Sequence, residues 1–153
     1  MTATNSVYIN RTFNCSAQQL FHWMVKPELL AKWFGPNHLT AGVVESDLQV
    51  GGKYRIELLK DSGRAFFIEG QYLEIDEPFK LVFSFSYVGL PTTPPDSVVT
   101  IIIDKIEPSV SKLSFIQKFE LTPTDMENRS NTWEKMLEKL NTQIRKSTVK
   151  NEN

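Results

Sequence analysis

A chain of 153 residues with a net charge of −1, 41% apolar and 23% charged side chains, has the length and composition of one globular domain. The near-neutral balance, with Lys and Arg scattered, excludes a field that would draw in nucleic acid or an anionic membrane, and no apolar stretch approaches the ~20 residues that span a bilayer. Cys15 is the only cysteine, so an internal disulfide is excluded; with a polar N-terminal segment that lacks a signal-peptide core, the composition suits a reducing cytoplasm.

The elements follow in chain order. Residues 7–13 are β-branched and aromatic and predict a strand. Ser16 and Gln19 have the spacing of a capping box and open a helix. Its apolar stripe is Ala17, Leu20, Trp23, Met24 and Pro27. Pro27 suits the first turn of a second short helix over 28–34, which Gly35-Pro36 stops. From 43 to 121 the pattern has period two, broken by turn residues. Leu48 to Val50 run into Gly51-Gly52, a bulge or tight bend and not a phosphate loop, since it lies between strands and lacks a Lys-Ser/Thr sequel. Tyr54, Ile56 and Leu58 then alternate with charged residues, and Asp61-Ser62-Gly63 predicts a hairpin turn. A long strand over 65–75 ends at Asp76-Glu77-Pro78. Leu81, Phe83, Phe85 and Tyr87 alternate cleanly, a Pro-rich loop occupies 89–97, and strands at 98–103 and 113–121 flank a turn at Glu107-Pro108-Ser109.

The chain closes with a long helix. Capping-box spacing at Thr124–Glu127 and again at Asn131–Glu134 leaves its start open by a turn. Trp133, Met136, Leu137, Leu140 and Ile144 make one apolar face. Glu134–Glu138 and Lys135–Lys139 are like-charge neighbours, so packing has to hold this helix. The connections in the meander are too short for crossovers, which makes the sheet antiparallel. The expected fold is therefore α+β: a curved antiparallel sheet of six or seven strands around a long C-terminal helix, with two short helices after the first strand. It forms a single domain over 1–153, with the core at about 7–145 and a polar tail at 146–153.

Few residues suggest chemistry. Gln117 shares a strand face with Leu113, Phe115, Phe119 and Leu121. A buried amide without partners costs about 1–3 kcal/mol, so Gln117 must bond a ligand's polar end, an interior neighbour or water. Strand 65–75 has two open phases: Phe67, Leu73 and Ile75 inward would bring Glu69 and Gln71, whereas Ile68, Gly70 and Tyr72 inward would bring Glu74. A bulge at Gly70 would flip the phase, and an inward carboxylate would have a raised pKa. His22 lies on the polar face of its helix, and His38 follows the Gly35-Pro36 turn in a loop. Two histidines and one cysteine make no metal-ligand set. Cys15 has no assured histidine partner, so no catalytic residue, metal or cofactor is assigned.

Four stretches carry a family resemblance. Pro27-Glu28 with Trp33 and Gly35-Pro36 is similar to P-E-x-x-x-x-W-x-G-P, and Asp47 through Tyr54 to D-x-R-x-G-G-x-Y. Gly70, Tyr72, Glu74-Ile75, Pro78 and Leu81-Val82 follow G-x-Y-x-E-I-x-x-P-x-x-L-V. Trp133, Leu137 and Leu140 follow G-W-x-x-x-L-x-x-L. Together they resemble the activator-of-Hsp90-ATPase-like family, the AHSA1/CalC-type branch of the START-like (SRPBCC, Bet v 1-like) helix-grip superfamily, from about 7 to about 144. Thr132 and Gln49 stand where the family usually has glycine and often has arginine.

The resemblance implies a cavity between the last helix and the sheet, lined by Trp33, Tyr54, Phe83, Phe85, Phe115, Gln117, Trp133, Met136 and Leu137, for a lipid, polyketide or aromatic metabolite. Two alternatives accompany it. A polyketide-cyclase-like enzyme would need Glu69, Glu74 or His38 as a pocket acid or base. A co-chaperone of Hsp90 type, or a stress-response protein, would need only a surface for its partner.

Overall fold

Alternation of apolar and polar residues along the chain builds one seven-stranded antiparallel sheet in a computed structural model that describes residues 5–36, 38–92, 94–120 and 126–151. The elements are β1 (Ser6–Phe13), α1 (Ala17–Val25), α2 (Pro27–Leu30), β2 (Thr40–Ser46), β3 (Lys53–Lys60), β4 (Gly63–Asp76), β5 (Lys80–Val88), β6 (Ser97–Glu107), β7 (Val110–Phe119) and α3 (Met126–Asn151). The strand order is β1-β7-β6-β5-β4-β3-β2. Hairpins make every neighbour except β1, which pairs with β7, so α1 and α2 carry the chain from one edge of the sheet to the other.

Local sequence explains most of this. Ser16 caps α1: its hydroxyl accepts from the Gln19 amide while the Gln19 side chain accepts from the Ser16 amide. The last helix lies along the curved sheet and buries Trp133, Met136, Leu137, Leu140 and Ile144, the stripe read from the sequence. They meet inward residues of the central strands, among them Leu113 and Phe115 of β7, Ile101 and Ile103 of β6, and Leu81 and Phe85 of β5. Arg11 of β1 pairs with Glu138 of α3 at the sheet edge. Among the described residues no helix is long and apolar enough to cross a membrane.

Several boundaries differ from expectation. The helix α2 ends at Leu30 and continues only as turns to Trp33. The strand β2 begins at Thr40, whereas Leu48 and Val50 are exposed in the turn that follows it. In that turn Gly51 has φ +86°, and a Cβ on Gly52 would stand 2.0 Å from the Asp47 carbonyl oxygen; backbone closeness, not strand pairing, sets this segment. Strands β6 and β7 extend further toward their shared turn than the sequence indicates. The helix α3 runs through 146–151, where a polar tail was expected. Thr124 and Leu121 lie outside the described residues.

The open phase of β4 is resolved. Ile68 and Tyr72 are buried, and Gly70 faces inward between them. A register shift between Tyr72 and Glu74 then turns Leu73 and Glu74 outward and lets Ile75 pack on the core. The bulge therefore comes after Tyr72, not at Gly70. Glu69 pairs with Arg55 at 2.8 Å and Glu74 with Lys80 at 3.3 Å, both at exposed positions.

Candidate ligand site between the last helix and the sheet

Aromatic rings dominate the space beneath α3. The Trp133 and Phe115 ring centres lie 4.3 Å apart, and Trp133 stands 5.9 Å from both Phe34 and Phe85. Phe34 and Phe85 lie 6.5 Å apart, so Phe34, Phe85 and Trp133 form a three-ring wall. Trp33 donates its indole N–H to the Trp23 carbonyl at 3.0 Å, which fastens α2 to α1. Further along the sheet, Tyr54 passes over Gly70 and donates to the Ser84 carbonyl at 2.6 Å. A Cβ at residue 70 would stand 1.9 Å from that same carbonyl oxygen and 2.5 Å from the Tyr54 ring, so glycine is required for the tyrosine to lie there. Tyr72 shares a hydrogen bond of 2.8 Å with the Ser46 hydroxyl. Burial pushes both phenols up, Tyr54 well above 10.0, with Tyr72 and Tyr87 adding to the rise at Tyr54.

Two spaces flank the aromatic wall. The inner one, about 30 Å³, has Trp33, Tyr54, Tyr72, Phe83 and Ile101 around it; that is room for a single water. The outer one, about 210 Å³, opens between α3, the end of β5 with its following loop, and the segment joining α2 to β2. Phe34, Phe85 and Trp133 line both. Lys139 of α3 donates to the Gly35 carbonyl at 2.8 Å and ties that connecting segment to the helix. A larger depression of about 440 Å³ lies on the outward face of β2 to β5 among Glu45, Lys53, Arg55 and Glu69; its paired charges do not suit an apolar ligand.

The nine residues expected around one cavity are divided by the structure. Trp33, Tyr54, Phe83, Phe85 and Trp133 line the inner space, and Phe85, Trp133 and Met136 line the outer one. Phe115, Gln117 and Leu137 line neither; each is 1% exposed and belongs to the packed core. Gln117 donates to the Ser97 hydroxyl at 2.9 Å, the interior-neighbour solution. Most of the outer cavity's lining stands outside the nine, including Phe34 of the shared wall and the polar side chains Tyr87 and Arg129. Tyr87 is legible in retrospect as the fourth member of the Leu81-Phe83-Phe85 alternation. Arg129 carries no such signal, because the start of its helix was ambiguous.

The acid–base groups considered from the sequence do not reach either space. Glu69 and Glu74 are in surface ion pairs, and His38 is exposed. Cys15 is buried, with Ser111 donating to its carbonyl at 2.9 Å, and burial pushes its thiol to about 11, far from a thiolate at neutral pH. What these walls can do is bind an apolar body and exclude water.

Known proteins agree with this architecture. A search of curated proteins finds no match. Protein CV1439 from Chromobacterium violaceum is 25% identical, superposes with a TM-score of 0.81, and the alignment covers 92% of this chain and 96% of that one. The AHSA1 protein from Silicibacter pomeroyi is 20% identical with a TM-score of 0.77 over 93% of this chain and 99% of that one. DynU16, of the dynemicin biosynthetic locus, is 15% identical with a TM-score of 0.72 over 92% of this chain and 47% of its own. At those lower identities the likeness shows a shared fold. The family model described as activator of Hsp90 ATPase homolog 1-like protein matches residues 14–144, from just before the capped helix to Ile144 at the end of the buried α3 stripe, and the chain belongs to that family.

Proposed function

We propose that the protein binds a small hydrophobic molecule, a lipid, polyketide or aromatic metabolite, in the outer cavity beside α3. The observation that carries this reading is a space of about 210 Å³ walled largely by Phe34, Phe66, Ile68, Phe85, Trp133 and Met136 at the end of the helix–sheet groove. Concave sites lined by apolar and aromatic groups with a few polar ones suit such ligands. Burial of their apolar surface contributes about 25 cal/mol per Å² before ordering costs. The cyclase alternative is less favoured, because Glu69, Glu74 and His38, the acid–base groups it calls on, are not among the described residues that line the cavity. A reducing compartment, the cytoplasm, suits the single buried thiol.

The experiment is a titration of the purified chain with lipids and aromatic compounds, followed by NMR. Shifts at Phe85, Trp133 and Met136 are expected, and a panel that moves none of them sinks the reading. The family description favours a second reading, a partnership with an Hsp90-type chaperone. Measuring the chaperone's ATPase rate with and without the protein separates it from ligand binding.

A further inference from the structure

The sheet ends in two edge strands, β2 and β1, and they are built differently. Strand β2 is interrupted between Ala41 and Val44, where its register against β3 shifts. Within that irregularity the Val43 N–H is taken by the Glu57 carboxylate of β3 at 3.2 Å. A bulge of this kind turns an edge away from an incoming strand. Strand β1 has no such device. Its eight residues pair with β7 without a register shift, and none is proline or glycine. Its one charged side chain, Arg11, is turned to Glu138 of α3.

The open groups of β1 follow from one bond. The Phe119 N–H donates to the Asn5 carbonyl at 2.9 Å. By the alternation of an antiparallel ladder, Val7, Ile9, Arg11 and Phe13 then direct their backbone N–H and C=O toward β7. Ser6, Tyr8, Asn10 and Thr12 direct theirs away from it, and among the described residues nothing bonds to those groups. The same residues carry the outward side chains: Tyr8 is 62% exposed, and Asn10 and Thr12 are exposed with it. A row of free donors and acceptors at this spacing matches another extended strand.

We propose that two copies of the chain join along this edge, β1 against β1 in antiparallel pairing about a two-fold axis. With the axis at Ile9, Ser6 faces Thr12 of the partner subunit and Tyr8 faces Asn10 of the partner subunit. Outward side chains then meet outward ones, as the period of two requires, and the free backbone groups from Ser6 to Thr12 all find partners. A two-fold interface brings one patch against itself, so a patch of like charges would repel its copy. This one presents Ser6, Tyr8, Asn10 and Thr12, on a chain whose net charge is −1, and Tyr8 is the kind of side chain that interfaces favour. The edge lies apart from both cavities, so pairing and ligand binding stand or fall separately.

The test is sedimentation equilibrium with NMR-detected amide exchange on the whole chain, from about 20 μM to about 1 mM. One strand pair is at the small end of interface sizes, so a reversible dimer with a Kd of about 10 to about 500 μM is expected. As it fills, exchange at the Tyr8 and Asn10 amides slows about tenfold or more, and the Val7 and Ile9 amides, already bonded to β7, change less. Asn10→Pro removes an edge N–H without touching the β7 ladder and is expected to weaken association at least about tenfold. Should that variant fail to fold, Tyr8→Lys decides, since an exposed charge on an edge strand opposes pairing and costs the single chain little. A chain still monomeric at about 1 mM overturns the proposal. A dimer whose Tyr8 and Asn10 amides keep their exchange rates, or whose affinity the folded variant leaves unchanged, overturns the assignment to β1. Protection of those amides by an unrelated β-strand peptide, in a chain that stays monomeric, overturns the second copy as occupant and gives the edge to a foreign strand.

Discussion

Gln117 of β7 donates its amide to the Ser97 hydroxyl of β6 at 2.9 Å, while its own Oε1 is buried with no partner among the described residues. The pair sits between Val7 and Val99, which flank Gln117 on the neighbouring strands. Ser97→Ala leaves the buried amide donor without its acceptor and is expected to cost about 1–3 kcal/mol. The double variant Ser97→Ala with Gln117→Leu removes both polar groups and is expected within about 1 kcal/mol of wild type, or above it. A double-mutant cycle in urea measures both; a double variant that loses the sum of the single losses contradicts the account.

Trp133 touches Phe34, Phe85 and Phe115, and so joins α3 to the α2 segment and two central strands. Trp133→Ala is expected to cost about 3–5 kcal/mol in chemical denaturation, and Trp133→Phe distinctly less, since a ring remains in the wall. A loss near that of a surface substitution, within about 0.5 kcal/mol, would show the helix to be held elsewhere.

Gly70→Ala places a methyl group where the Ser84 carbonyl and the Tyr54 ring already stand. Backbone has to move, or Tyr54 has to leave and give up its bond to Ser84. A loss of at least about 2 kcal/mol is expected, with changed tyrosine fluorescence. Unchanged thermal midpoint and spectra would contradict the packing.

Stability is expected to fall in alkali. Cys15 is raised by burial from 9.0 to about 11, and burial likewise raises Tyr54 and Tyr72 above 10.0. Each folded group holds its proton more tightly than its unfolded counterpart. From about pH 9 upward the unfolded chain therefore carries fewer protons than the folded one, and the slope of unfolding free energy against pH is negative. Below that pH these groups contribute no dependence. Cys15→Ala is expected to move the onset toward pH 10, where the phenols take over. Urea midpoints between about pH 8 and about pH 11 measure the effect. At neutral pH the native thiol is expected to resist alkylating reagents until urea unfolds the chain.

The architecture was readable in the sequence because it rests on periodicity. The α3 stripe from Trp133 to Ile144 and the alternation Leu81-Phe83-Phe85-Tyr87 each state which face is buried, and Ser16 with Gln19 marks where α1 begins. The phase of β4 was not readable. Its polarity permits either face, and the choice depends on a bulge after Tyr72 and on Tyr54 needing the space over Gly70, both contacts between strands. The cavity was legible only in part. Composition marks Phe115, Gln117 and Leu137 as inward, but whether an inward residue borders open space or another side chain depends on ring packing, and the core closes tightly around those three.

The wall of Phe34, Phe85 and Trp133 is shared by two spaces, and sharing sets a limit on what the site can evolve to hold. Substituting a smaller side chain at any of the three would merge the inner and outer volumes and admit a longer body. The same change would remove ring contacts that clasp the helix to the sheet. Ligand length and core stability are thus opposed at three positions, and a relative that accepts bulkier molecules would need compensating packing elsewhere beneath α3.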